Sequence, residues 1–548
     1  MRSRSFSTRA GLATIALMCV VVFGVATAQD RRASTKEEIS SETTDTKEKR
    51  EPFVPGELLV KFSGGGESEA AFSANRAMGS KVLEDLADTG WQRVQLADGV
   101  DVKSAANEYT KFQGVEYAQP NFYYHLLATP NDPQFTSSGM YGLTKISAPA
   151  AWDLSTGSST VVVADIDTGM RYTHQDLAPN AWTNPGEIPG NGIDDDGDGF
   201  IDDVHGWDFF YNDSDPIDDA GGHGTHTAGT IGAAGNNALN VVGVNWNVKI
   251  MPIKIYSPAG TDSTSAMLVN AYAYIRMMKL RGVNIRATNN SYGNCGEACG
   301  YDQATKDGID AMGEAGIVSC FAAGNDNNNN DTNPAPSYPS VYTSPSIIAV
   351  ASSTSTDTKS SFSSYGLTTV DLAAPGSNVL STWNTSDTAT NTISGTSMAT
   401  PHVTGAVALL SAYRPDLSVA SLKASILNNV DILPAWSGIV KTGGRLNIFH
   451  AMQNPTVCTF NTPSGLNVLA PGGSYSINVT SPVNCDYMIK SNVSWITFPG
   501  YTIPGSYVLS GNGTVNIQVA AMPSGRRTGT ITIGGQTFTV RQTRKRIS

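Results

Sequence analysis

The sequence predicts an α/β protein: a doubly wound, mostly parallel sheet, preceded by a small α+β domain and followed by an all-β sandwich. Three observations carry this reading. Between about residues 134 and 455, short apolar runs alternate with helix-like stretches, the pattern of strand–helix crossovers that buries a parallel sheet on both faces. Ahead of it, residues 53–127 mix strand and helix signals. After Pro455, Val, Ile, Thr and Ser alternate between Gly and Pro turns with no helical period, the signature of a sandwich.

Taken in order, the chain opens with Arg2, Arg4 and Arg9, an apolar run from Gly11 to Val25, and Ala26-Thr27-Ala28. This reads as a signal peptide over residues 1–28, cut after Ala28, and predicts a secreted, extracellular protein. The run is too short for a spanning helix, and Cys19 is discarded with it. Residues 29–52, with Lys47-Glu48-Lys49-Arg50-Glu51, are charged and poor in apolar residues, a disordered linker. Gly56 to Phe62 reads as the first strand of the α+β segment. Ala128 to Pro133 is a polar, Pro-rich boundary, which opens the central domain at 128–455. Within it, Val161 to Ile166 and Ile317 to Phe321, entered through Gly316, are buried-strand signals. Residues 456–548 form the last domain, and no internal repeat is present.

Composition narrows the function classes. Lys plus Arg is 36 and Asp plus Glu is 48, a net charge of −12. Nucleic-acid partners are excluded on that ground, because phosphate contacts need cations. Only 15% of residues are charged, below the usual share of about 25%. Six cysteines are too few for a disulfide scaffold. Cys295 and Cys299 could pair, as could Cys458 and Cys485. Cys320 lies on a predicted core strand and reads as a buried thiol.

Three motifs carry chemistry. Asp167-Thr168-Gly169 ends a strand, His223-Gly224-Thr225-His226 begins a helix-like run, and Gly395 to Pro401, with Ser397 inside it, opens an apolar helix. A serine hydroxyl is a weak nucleophile until an imidazole takes its proton, and the imidazole needs a carboxylate to fix its tautomer. A fourth element, Phe321 to Asn325, ends a buried strand with an amide that can donate to an oxyanion together with the Ser397 N–H. A lipase-type elbow is excluded because Ala399 stands where it needs Gly. A zinc site on His223 and His226 is disfavoured by their spacing and by the lack of H-E-x-x-H. The competing class is a binding or adhesion protein on an inactive protease fold; the completeness of Asp167, His223, Ser397 and Asn325 argues against it.

Over residues 134–455 these motifs resemble the subtilisin-like serine peptidases. The resemblance implies a subtilisin-like fold and a serine endopeptidase acting through an acyl-enzyme. Asp167 would orient His223, His223 would act as general base and acid, Ser397 as nucleophile, and Asn325 would complete the oxyanion hole. Ser291, Tyr292 and Gly293 would pair with the backbone of a protein or peptide substrate. Residues 53–127 would be an inhibitor-type propeptide, an intramolecular inhibitor removed on maturation, and the enzyme would be a monomer. A neutral imidazole base implies activity near neutral to alkaline pH.

Calcium is the expected cofactor. Residues 172–248 hold no Lys or Arg, and Asp194 to Asp203 offers oxygens at alternate positions with Gly at the sixth, as in the first half of an EF-hand loop. His205 stands at position twelve, so the loop is of another kind. Asp194, Asp196, Asp198 and Asp202 are the candidate ligands. The resemblance implies a second site from Gln134, Asp176 and Asn237 with the backbone carbonyls of Leu239 and Val241. Finally, Ser494-Trp495-Ile496 and Arg526 to Gln542 resemble the BACON family of β-sandwich modules, which would bring a carbohydrate or cell-surface ligand, with Trp495 either a stacking platform or a core residue.

Overall fold

A computed structural model describes residues 53–86, 89–123, 129–219, 221–260, 263–293, 300–500 and 507–544. The expected signal peptide and charged linker lie outside the described residues, as do Cys295 and Cys299. The chain divides into two compact units, one ending at Tyr124 and one running from His125 to Ser548.

In the first unit, β1 (Phe53–Phe62), α1 (Glu69–Ala77), β2 (Lys81–Leu86), β3 (Trp91–Gln95), α2 (Val102–Tyr109) and β4 (Val115–Phe122) build an antiparallel sheet in the order β2-β3-β1-β4. Both helices start at side-chain caps: Ser68 accepts the Ala71 N–H and Asp101 accepts the Ser104 N–H. Leu58, Val60 and Phe62 alternate along β1 into a core shared with Ala71, Ala74 and Tyr109.

The second unit begins with the short helices α3 (Tyr141–Lys145) and α4 (Ala148–Trp152). It continues through β5 (Gly157–Asp167), β6 (Trp207–Asp208), α5 (His223–Gly232), β7 (Asn247–Lys254), α6 (Ser265–Leu280), β8 (Ile285–Asn290), α7 (Gln303–Glu314) and β9 (Val318–Ala322). Then follow β10 (Ile347–Ser353), β11 (Leu372–Pro375), β12 (Val379–Thr382), β13 (Thr390–Ile393), α8 (Thr396–Tyr413), α9 (Val419–Asn428), β14 (Asp431–Ile432), β15 (Gly444–Arg445) and α10 (Ile448–Gln453). Nine strands form one sheet in the order β14-β15-β11-β10-β9-β8-β5-β7-β6, parallel throughout except for β14 against β15.

The expected doubly wound sheet is thus present, and its strands show why. Every residue of β9 and β10 is buried, so the strands read as unbroken apolar runs. Alternate side chains serve opposite faces: Val318 and Cys320 join the cluster of α8, α9 and α10, while Phe321 joins that of α6 and α7. Cys320 is the buried thiol the sequence suggests, its pKa pushed up to about 12 by burial.

The chain ends in a sandwich. A five-stranded sheet in the order β16-β23-β22-β18-β20 comprises β16 (Gly465–Leu469), β18 (Asp486–Ser491), β20 (Tyr507–Ser510), β22 (Arg526–Ile533) and β23 (Gln536–Thr543). A three-stranded sheet in the order β17-β21-β19 comprises β17 (Gly473–Val479), β19 (Ile496–Thr497) and β21 (Gly513–Val519). The two share one apolar core. Cys458 and Cys485 are bonded, with Cα atoms 5.5 Å apart. Trp495 packs at the edge of that core with the Arg527 guanidinium stacked 4.1 Å over its ring, so that face is already covered. Lys423 of α9 meets Asp486 of β18 at 2.7 Å, both buried. No helix among the described residues is long and apolar enough to cross a membrane.

Candidate active site

Four of the motif residues gather where strands end and helices begin. Asp167 is the last residue of β5, His223 the first of α5, Ser397 the second of α8, and Asn325 lies just past β9. The C-terminal edge of an open parallel sheet is where such folds hold ligands. His223 Nδ1 lies 2.7 Å from Asp167 Oδ1, which also accepts the Thr168 N–H at 2.8 Å. With Nδ1 engaged by the buried carboxylate, Nε2 remains to act as a base. The ring is about one-third exposed. Burial alone would lower its pKa, but the charge and hydrogen bond of Asp167, with Asp218 beyond, hold it above the ordinary imidazole value.

The H-G-T-H motif is fixed by close approach. A Cβ on Gly224 would stand 2.1 Å from the Gly169 carbonyl, so only glycine lets α5 start against the end of β5. Thr168 Oγ1 accepts the Gly224 N–H at 2.9 Å, and Asp218 accepts from Thr225 N and Oγ1 at 3.0 and 2.6 Å. A carboxylate there satisfies the first N–H groups of the helix and suits its dipole. His226 is a different case: its Nε2 lies 3.0 Å from the Val379 carbonyl, and burial pushes its pKa down to about 3. It is a neutral imidazole inside the protein.

The serine motif is organised by Pro401. Proline has no N–H, so the Ser397 carbonyl loses its partner one turn on. That carbonyl instead accepts from Ser291 Oγ at 2.8 Å, while Ser397 Oγ donates to the Ser291 carbonyl at 3.1 Å. This reciprocal pair pins the start of α8 to the segment after β8. The Ser397 hydroxyl therefore faces Ser291 rather than His223, the looser arrangement common before substrate arrives. Asn325 Oδ1 accepts from both Thr396 N and Thr396 Oγ1 at 2.9 Å. With its oxygen spent, the exposed amide has only its Nδ2 donors to offer, next to the Ser397 N–H in the first turn of α8.

Ser291, Tyr292 and Gly293 continue β8 past the sheet. Tyr292 turns inward: its hydroxyl donates to Asn290 Oδ1 at 2.8 Å and pairs with the Tyr272 hydroxyl at 2.7 Å. Beside Gly293 opens a cavity of about 630 Å³ whose walls include Tyr256, Leu268, Tyr292, Tyr301 and Tyr338.

The acidic loop forms two carboxylate groups, Glu187–Asp194–Asp196 and Asp196–Asp198–Asp203, with one oxygen from each member within 4.8 Å of the others. Of the expected ligands, Asp196 shares one group with Asp194 and the other with Asp198, and Asp202 is in neither. Asp202 has a positive φ of 55° and turns its carboxylate back to the N–H groups of Asn191 and Gly192. That turn sends Asp203 inward instead. Asp203 is fully buried between Tyr274, which donates at 2.5 Å, and Asn184, which donates at 2.7 Å; burial pushes its pKa up to about 7. Asp198 Oδ2 is shielded from solvent with no hydrogen-bond partner. An all-oxygen set with an unsatisfied carboxylate atom fits a hard cation such as calcium. Glu187 and Asp203 were not legible as members, since burial rather than spacing selects them.

At the second place, Asn237 Nδ2 donates to Asp176 Oδ1 at 3.1 Å and Val241 N to Asp176 Oδ2 at 3.2 Å. The Gln134 N–H donates to the Asn240 carbonyl at 2.9 Å, and the Leu239 N–H donates to Asn237 Oδ1 at 2.8 Å. The segment around Gln134 thus lies along the 236–241 loop, beside Asp176. Asp132, which sequence reasoning missed, joins them and accepts the Asn236 N–H at 2.7 Å. Burial raises the pKa of both Asp132 and Asp176, and the two repel.

Comparison with known proteins accords with this geometry. Residues 158–492 match the Subtilase family, and residues 40–121 match the Fervidolysin N-terminal prodomain. Thermitase of Thermoactinomyces vulgaris is 37% identical over 59% of this chain and 99% of its own length. A thermophilic serine proteinase of Bacillus sp. (strain AK1) is 30% identical over 73% of this chain and 88% of its own. An extracellular protease of Xanthomonas campestris is 33% identical over 57% of this chain and 55% of its own. The chain belongs to the subtilase family and is a serine-type endopeptidase with an N-terminal prodomain.

Proposed function

We propose that Asp167, His223 and Ser397 are the catalytic triad of this endopeptidase and that Asn325 with the Ser397 N–H forms its oxyanion hole. The observation that carries the reading is the 2.7 Å contact between His223 Nδ1 and Asp167 Oδ1. A substrate strand lies along Ser291, Tyr292 and Gly293. Ser397 Oγ attacks the scissile carbonyl carbon as His223 Nε2 takes its proton, and the carbonyl oxygen becomes an oxyanion held by Asn325 Nδ2 and the Ser397 N–H. His223 returns the proton to the leaving amine, which departs and leaves an acyl-Ser397 ester. Water, deprotonated by the same imidazole, hydrolyses that ester. The tyrosine-walled cavity beside Gly293 takes an apolar substrate side chain.

The prodomain over 53–127 holds the enzyme inactive until it is removed, and the signal-like N-terminus directs export. Calcium belongs at the carboxylates of Asp194, Asp196, Asp198, Asp203 and Glu187, and at Asp132 and Asp176 with Asn237. It would supply charge neutralisation to the fold, not a step in the reaction. The test is the full chain beside Ser397→Ala. The natural chain should lose its prodomain and cleave casein; the variant should remain unprocessed, with cleavage reduced by about 10⁶-fold. Equal cleavage by both overturns the triad.

A further inference from the structure

Two residues ahead of Asp167, on the same face of β5, stands a second carboxylate. Asp165 is 2% exposed, and no Lys or Arg among the described residues forms an ion pair with it. Its Oδ1 accepts from Asn289 Nδ2 at 2.8 Å, its register neighbour on β8. Its Oδ2 lies 2.9 Å from Thr227 Oγ1, one turn after His223 on α5. Asn289 Oδ1 accepts from Thr404 Oγ1 at 3.0 Å, two turns after Ser397 on α8, and Asn289 Nδ2 also reaches Ser291 Oγ at 3.1 Å. The elements that carry Asp167, His223, Ser397 and Ser291 therefore meet at one buried pair of side chains, Asp165 and Asn289.

Proton counting assigns its state. Thr227 Oγ1 has one hydrogen and faces two oxygens, Asp165 Oδ2 at 2.9 Å and the Gly224 carbonyl at 3.0 Å. If Asp165 were ionised, one of those oxygens would face the hydroxyl without a hydrogen between them. If Asp165 carries the proton, Oδ2 donates to Thr227, and Thr227 donates to Gly224. Electrostatics agree: burial and the neighbouring Asp167 push the Asp165 carboxyl well above the usual range, against the opposing hydrogen bonds of Asn289 and Thr227 and the charge of His223. The neighbours from β8 and α8, Asn289 and Thr404, are neutral, and β7 presents Pro252 in register.

We propose that Asp165 is a positioning residue, a neutral buried acid whose two oxygens hold α5 directly and α8 through Asn289, so that His223 and Ser397 are aimed at one point. This rests on the triad reading above and goes beyond it, because Asp165 touches neither substrate nor the reacting atoms. The neutral amide of Asp165→Asn preserves both bonds, accepting from Asn289 and donating to Thr227; Asp165→Leu removes both.

The experiment compares kcat, KM and the pH profile of kcat/KM for the processed natural enzyme and both variants, per site titrated with a peptidyl phosphonate. Asp165→Leu should lose roughly ten- to a hundredfold in kcat with KM little moved, the scale of a misaligned catalytic group. Asp165→Asn should recover most of that loss and keep the acid limb at its natural pH. A natural kcat per titrated site in Asp165→Leu overturns the proposal, even if its melting temperature falls, because the role would then be structural only. An Asp165→Asn enzyme as poor as Asp165→Leu, or with its acid limb displaced downward, also overturns it, since an ionised carboxylate would then be acting on His223. If Asp165→Leu does not fold, Asp165→Asn alone decides by the same two readouts. Ser397→Ala separates the two levels: its activity sinks the triad, whereas the Asp165 variants are compared only where Ser397 is shown to be essential.

Discussion

At the scale of single residues, the site depends on which atoms are already occupied. Asn325 has spent its oxygen on Thr396, so its amide hydrogens are what it can present. Asn325→Ala should therefore lower kcat by about 10²–10³-fold with KM little changed, the signature of an interaction made in the transition state; an unchanged kcat in steady-state assays would remove it from the oxyanion hole. His223 gives a pH prediction. Its pKa is raised by Asp167, and the base must be neutral, so kcat/KM should fall on the acid side at a pH above the ordinary imidazole value of about 6.5. Asp167→Asn should move that limb to lower pH and reduce kcat by about 10⁴-fold. A limb that stays in place would mean another group titrates. These residues were legible because each motif pairs a chemical type with an element end. Asp203 and Asp132 were not: their neighbours in sequence are as acidic or as polar, and only burial distinguishes them.

At the scale of elements, the apolar runs made the parallel sheet legible, and Pro401 was legible as a residue but not in its consequence. The proline frees a carbonyl that binds Ser291, a contact between positions 397 and 291 that no local pattern encodes. The same holds for α9 and β18. The change of texture after Pro455 announces a sandwich, yet nothing in it says that Lys423 will lie against Asp486. Both groups are almost wholly buried, the lysine held above and the aspartate below its ordinary pKa by the other's charge against the cost of burial. Removing one partner of such a pair strands the other. Lys423→Met should cost about 3–5 kcal/mol, measured by denaturant unfolding of the Ser397→Ala chain, and adding Asp486→Leu should return most of it. If the double variant is no better than the single one, the packing of α9 rather than the charge pair holds the join.

At the scale of the whole molecule, the net charge of −12 is unevenly placed. The window from 172 to 248 has no cation of its own, but the fold brings some to it: Arg281 pairs with Asp196, and the buried Lys254 reaches both Asp208 and Asp219. Glu187, Asp198 and Asp203 in the loop, and Asp132 and Asp176 beyond it, form no ion pair with Lys or Arg among the described residues, which leaves a proton or the proposed calcium to neutralise them. The pH dependence follows from the sign of the shifts. Asp203 titrates at about 7 in the cation-free fold, and burial raises Asp132 and Asp176 as well. The unfolded chain releases these protons near pH 4, so between there and about pH 7 the folded state binds more protons than the unfolded state. The contribution of these three carboxyls to the stability of the cation-free protein is therefore greatest at low pH and falls as pH rises. Calcium at the proposed sites would compete with those protons and bind best once they have left. The melting temperature of the Ser397→Ala chain, used so that self-digestion plays no part, should drop by roughly 5–10 °C when a chelator replaces saturating calcium at pH 8. The gap should shrink at pH 5, where the proton holds the same carboxyls. Equal melting temperatures with and without calcium at pH 8 would remove the metal from this account, and a gap that stays constant between the two pH values would mean that calcium binds elsewhere than at the buried carboxyls.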